Sequence, residues 1–130
     1  MATIFTRIIQ GEIPCYKIAE NDDFFAFLDI NPLMMGHTLV VPRRETDYLF
    51  SLDDEELGQM MVFAKKVAAA IEKAMPCKRI AVAVIGLEVP HAHIHLVPIT
   101  KEGDLDFKKE HLKLSQEEFL EIQKKITSAF

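Results

Sequence analysis

The apolar and polar positions change rhythm several times along the chain, and each rhythm implies an element. Ile4, Phe5, Ile8 and Ile9 crowd together before Gly11, the pattern of a short helix ended by glycine. Tyr16–Ala19 and Phe24–Leu28 read as two short strands separated by the turn-like Glu20-Asn21-Asp22-Asp23. A loop then delivers His37 to the start of a third strand, Thr38–Val41, closed by Pro42. From Ser51 the period lengthens. Ser51 followed by Asp54, within an acidic first turn, marks a helix start. Leu57, Met60, Met61, Ala64, Val67, Ala68, Ile71 and Met75 then define one face of a long helix that Pro76 ends. Arg79–Ile85 is almost continuously apolar, which predicts a fully buried strand. The stretch from His91 alternates strictly and should pair with 79–85 as a hairpin. A last helix is expected over about residues 115–129, with Ser115 and Glu118 as a capping box and Phe119, Ile122, Ile126 and Ala129 on one face. Strands with few intervening helices imply an α+β fold. The expected architecture is an antiparallel sheet of about five strands, packed by the long central helix and the C-terminal helix.

Composition narrows the picture only modestly. A chain of 130 residues is expected to form one domain over residues 1–130, with the last helix as an extension. The net charge is −5, and several Lys and Arg residues come in pairs, two of which lie in helical patterns and read as a solvated face. No concentrated basic patch suggests a nucleic-acid partner. Cys15 and Cys77 form no CxxC pair, so neither a zinc knuckle nor a disulfide framework is implied. No cationic apolar leader and no apolar run near 18 residues is present, so a cytoplasmic protein without membrane attachment is expected.

The chemistry concentrates in one place. Three of the five histidines, His91, His93 and His95, stand at alternate positions, interleaved with Ala92, Ile94 and Leu96. On a strand this puts three imidazoles on one face and the apolar side chains on the other. Imidazole can act near neutral pH as nucleophile, acid, base or metal ligand. Zinc wants its ligand nitrogens about 2.0–2.1 Å from the ion, whereas residues i and i+2 on a strand are about 6.6 Å apart. Two neighbours could share an ion, but three on one straight strand could not easily do so, and no carboxylate is singled out to complete the set. The spacing better suits a row of groups along an extended substrate. The plainer alternative is a histidine-rich solvent face.

The run His91-Ala92-His93-Ile94-His95-Leu96-Val97 resembles the signature of the histidine triad superfamily of nucleotide hydrolases and transferases. Ile4–Pro14, Phe27–Pro32 and Gly36–Pro42 resemble that family's opening segment and first strands, so the likeness spans roughly residues 3–99. The resemblance implies that His93 attacks the α-phosphate of a substituted nucleotide, giving a nucleotidyl-histidine that water hydrolyses. It implies that the backbone carbonyl of His91 accepts the proton on the other ring nitrogen of His93, and that His95 and His37 contact phosphate. Asp29 would accept from the ribose hydroxyls, and Phe5, Ile8, Phe27 and Ile30 would line the base slot, although ordinary core packing is the alternative for all four and explains Phe27 equally well.

Two departures from the family pattern stand out. The usual Asn and Gly-Gln before the triad are replaced by Val84-Ile85-Gly86-Leu87-Glu88-Val89-Pro90, with Leu87 in the Gln position. Backbone N–H groups around Gly86, Glu88 and Val89 remain available to phosphate. The N-terminal cysteines of zinc-bearing members are absent, so no metal or other cofactor is expected. The resemblance further implies a homodimer, with the long helix as a contact, and a purine nucleotide substrate. A nucleotide-binding scaffold with little turnover is the alternative that Leu87 and the missing Asn raise. His111 reads as an ordinary surface histidine, and Met34-Met35 as a flexible lip or plain loop packing.

Overall fold

The computed structural model describes residues 2–130. Its order is α1 (Ile4–Ile9), β1 (Lys17–Glu20), β2 (Phe24–Leu28), β3 (Thr38–Pro42), α2 (Asp54–Ala74), β4 (Arg79–Ala83), β5 (Ile94–Ile99) and α3 (Gln116–Thr127). The five strands form one antiparallel sheet in the order β1-β2-β3-β5-β4. This is the expected α+β architecture, hairpin pairing of β4 with β5 included.

Side-chain alternation divides the sheet into two faces. Phe24, Ala26, Leu28, Val40, Ile94 and Leu96 belong to the larger core beneath α2 and α3. Phe25, Phe27, Leu39 and Val41 point the other way and gather with Phe5 of α1 into a second, smaller cluster. In register, Phe27 faces Leu39 and Leu39 faces His95, so His95 shares the α1 face. Strand period thus sends Ile94 and Leu96 into the core and the imidazoles to the opposite side.

The helix ends follow their capping chemistry. Ser115 and Glu118 form the expected capping box at α3. At α2 the cap is Asp53, whose side chain accepts from the Glu56 N–H, rather than Ser51, which lies in a 3-10 turn two residues earlier. Asp53, Asp54, Glu55 and Glu56 together place negative charge against the positive end of the helix dipole. The buried stripe of α2 is Met60, Phe63, Ala64, Val67, Ala70 and Ile71, while Met61 faces outward.

Two further expectations are corrected. β4 is not fully buried: it pairs only with β5, stands at the sheet edge and leaves Val82, Val84 and Ile85 exposed. Its apolar run reads like that of a central strand because composition alone does not tell a strand buried on both faces from an exposed edge strand. The regular strand carrying the triad begins only at Ile94, so His91 and His93 occupy the connection before it. His91 donates its N–H to the Val89 carbonyl, and Ala92 donates to Thr46, instead of continuing the ladder. Among the described residues, no helix is long and apolar enough to cross a membrane.

Candidate active site

The three triad histidines and His37 come together, and all four are buried. Their partners determine where each proton sits, because a carbonyl only accepts and a backbone N–H only donates.

His93 places Nδ1 2.8 Å from the carbonyl oxygen of His91. Nδ1 therefore carries a proton, which makes Nε2 the nitrogen that bears the lone pair in the uncharged form of the ring. His91 places Nε2 2.7 Å from the carbonyl of Pro42 and Nδ1 2.8 Å from the Thr3 hydroxyl. Burial lowers the pKa of His91, the Pro42 carbonyl partly opposing it, so the ring is neutral at pH 7. Its proton is on Nε2, and Thr3 donates to Nδ1.

The other pair is wired in reverse. The Leu33 N–H donates to Nδ1 of His37 at 3.0 Å, which places the His37 proton on Nε2. Nε2 lies 3.0 Å from Nδ1 of His95, so His37 donates and His95 accepts there. His95 in turn carries its proton on Nε2. Burial pushes the pKa of His37 down to about 4, with charge on His111 and Lys109 acting in the same direction. Burial likewise pushes His95 to about 4, helped by its neighbours His37 and His93. Both rings are neutral at pH 7. Neither His93 Nε2 nor His95 Nε2 has a partner among the described residues, and no buried side-chain nitrogen or oxygen there goes unpaired, so both atoms reach solvent.

Asp29 follows β2 and is tied to the same centre. Its backbone N–H donates to the His37 carbonyl, Oδ1 accepts from the Asn31 N–H at 2.8 Å, and Oδ2 lies 3.5 Å from His37 Nε2. Asp29, His37 and His95 each bring a ligand-capable atom within 4.8 Å of the others, so the fold supplies the carboxylate that spacing left unassigned. The proton placement opposes a metal at this point. With Leu33 donating to Nδ1, the Nε2 that would bind the ion already carries a proton, and only an imidazolate or loss of the Leu33 bond would free it.

The residues expected around the base divide. Phe5 packs edge-on against both His91 (5.7 Å between centroids) and His93 (5.0 Å), and against Phe27 (5.6 Å). Ile8 and Val89 pack on this cluster, whereas Ile30 stands outside it, 73% exposed. Gly86 adopts φ +72°, a left-handed turn that glycine tolerates, and the loop continues through exposed Glu88. Leu87 is 89% exposed.

Several site residues have no signal in the local sequence. Thr3, Thr6, Pro42 and Glu45 form the surroundings of His91 from positions 46–88 residues distant, too far for any spacing rule. Phe107 presents its ring to His95 at 4.8 Å and His37 at 6.3 Å. His111 is not an idle surface residue: Nδ1 lies 2.7 Å from the Asn31 carbonyl and Nε2 3.2 Å from that of Phe107, joining the loop after Asp29 to the segment over His95. Met34, in the proposed lip, contacts Lys109 of that segment.

The HIT domain family model matches residues 10–102. An uncharacterised HIT-like protein of Borreliella burgdorferi is 36% identical over 95% of this chain and 95% of its own. The adenosine 5'-monophosphoramidase of Schizosaccharomyces pombe is 36% identical over 78% of this chain and 77% of its own. Among solved structures, a HIT-like protein of Bartonella henselae superposes with a TM-score of 0.84 at 32% identity, covering 98% of this chain and 96% of that one. With the triad, its fold and these relatives in agreement, the chain belongs to the HIT domain family.

Proposed function

We propose that this protein hydrolyses substituted purine nucleoside phosphates at the α-phosphate through a nucleotidyl-His93 intermediate, releasing the nucleoside monophosphate. The observation that carries the reading is the His93 Nδ1–H···O=C bond to His91, which leaves a bare Nε2 lone pair open to solvent. In the first step that lone pair forms a bond to phosphorus while the bond to the substituent breaks. The substituent leaves with the electron pair and takes a proton from solvent. In the second step water bonds to phosphorus and releases a proton to solvent, while the P–N bond breaks and its electrons return to Nε2. Two easier displacements replace one hard one. His95 Nε2–H is the neutral donor for the phosphoryl oxygens, backed by His37. Asp29, with Oδ2 free of backbone partners, receives the ribose hydroxyls, and the Phe5–Phe27 cluster meets the base. The amidase activity named for the Schizosaccharomyces pombe relative supports a nitrogen leaving group. His93→Ala should abolish release of nucleoside monophosphate from an adenosine phosphoramidate; retained turnover would sink the assignment.

The exposed Leu87, standing where the family carries a Gln, favours one second reading, a nucleotide-binding protein with little turnover. Tight binding of nucleoside monophosphate without multiple turnovers on a panel of phosphoramidates and dinucleoside polyphosphates would select it. We also propose a homodimer. Edge strand β4 exposes Val82, the residues just after it expose Val84 and Ile85, and α2 exposes Met61 and Val62, so a second copy has apolar surface to cover on both elements. Sedimentation should give twice the 14.8 kDa chain mass at micromolar concentration, and a monomer would overturn this.

A further inference from the structure

His93 is an effective nucleophile only while its proton stays on Nδ1, and that depends on one carbonyl, that of His91. The protein spends an unusual number of contacts holding this carbonyl in place. On its N-terminal side the His91 N–H donates to Val89, and on its C-terminal side the Ala92 N–H donates to Thr46 at 2.6 Å. The His91 ring, fully buried, is held at both nitrogens, by Pro42 and by Thr3.

The Thr3 hydroxyl has only one proton to give. Two acceptors compete for it: His91 Nδ1 at 2.8 Å and Thr6 Oγ1 at 3.2 Å. Pro42 already holds His91 in the tautomer whose Nδ1 needs a donor. The only other hydroxyl near Nδ1 among the described residues is that of Thr6, at 3.4 Å, and Thr6 gives its proton to Glu45 Oε1 at 2.7 Å. The same Glu45 oxygen accepts the Thr3 N–H at 2.7 Å. Those two donors, the Thr3 backbone first, hold the Glu45 carboxyl below its usual range, so it is ionised and can only accept. Thr3 Oγ1 completes the geometry by accepting from the Thr6 N–H as the cap of α1. Glu45 and Thr46 are adjacent, so the end of β3 and the short stretch after it hold His91 three times: through Pro42 on the ring, through Glu45 and the threonines, and through Thr46 on the backbone.

We propose that Thr3 and Glu45 are positioning residues for His93. Glu45 orients the two threonines, Thr3 locks the His91 ring, and the locked His91 holds its carbonyl on the proton of His93. The inference rests on the reading of His93 as nucleophile, but its structural half can be tested without turnover. ¹⁵N chemical shifts of the histidine rings report which nitrogen carries the proton in the free protein. In Thr3→Val, which keeps the shape and removes the donor, we expect the His93 Nδ1–H signature to be lost or mixed. We expect kcat on the phosphoramidate to fall about tenfold with KM within about twofold, as for a displaced catalytic group rather than a lost binding contact. Thr3→Ser should restore both signals and rate to within about threefold, and Glu45→Ala should shift both in the same direction by less than Thr3→Val. Unchanged His93 ring signals in Thr3→Val would overturn the proposal, whatever the rate does, since a fall in rate alone would reflect the lost helix cap. If His93→Ala retains activity, the nucleophile assignment fails, while the ring signals still decide whether Thr3 holds His91.

Discussion

His93 and His95 stand two residues apart, pack ring against ring and are equally buried, yet they hold their protons at opposite ring positions. His93 meets a carbonyl at Nδ1 and must donate there. His95 meets the N–H of His37 at the same atom and must accept. One ring is left with a lone pair at Nε2, the other with a donor. A displacement at phosphorus needs both, a nucleophile for the phosphorus and a donor for its oxygens. The difference comes from the partner, so roles among identical side chains are assigned by what lies behind each ring.

The experiment with the largest expected effect removes the nucleophilic half. His93→Ala should lower kcat/KM on an adenosine phosphoramidate at least about a thousandfold, as for other covalent nucleophiles, measured by nucleoside monophosphate release. Next comes the donor half. His37→Leu removes the bond that makes His95 an acceptor at Nδ1, and kcat should fall about a hundredfold, the scale of losing one donor to a developing negative charge. Steady-state kinetics that showed no loss would mean His95 keeps its tautomer unaided.

A third test sharpens the contrast through burial. Phe107 screens His95 and His37 but touches neither His91 nor His93 among the ring contacts. Phe107→Ala should let water in on one side and raise the pKa of His95 from about 4 toward its ordinary value, visible by NMR titration. The smallest effect is on stability. His37 and His95 titrate near 4 when folded and near 6.5 when unfolded, so between those values the unfolded chain binds more protons. Stability from this pair therefore rises with pH from about 4 to about 6.5 and is level outside that window. The slope of Tm against pH in that window should be shallower in His37→Leu.

What could be read from the sequence follows the range of the interaction. The capping box of Ser115 and Glu118 and the alternation from Ala92 to Leu96 depend on neighbours a few residues away, and both are found as expected. The resemblance likewise brings His37 and Asp29 to the triad. β4 was misread because an apolar run reports hydrophobic composition, not whether the fold buries it, and β4 stands at the sheet edge. Asp53 rather than Ser51 caps α2 because Ser51 is taken up in the 3-10 turn Leu49–Ser51, which composition alone does not reveal. Thr3, Glu45, Phe107 and His111 act across long sequence separations, and a lone Thr or His carries no pattern.

The opposite proton positions of His93 and His95 are the centre of this account, and ¹⁵N-detected NMR of the free protein at pH 7 measures them directly. His93 should carry its proton at Nδ1 and His95 at Nε2, giving two distinct ring patterns. The same tautomer in both rings, or His93 protonated at Nε2, would contradict it.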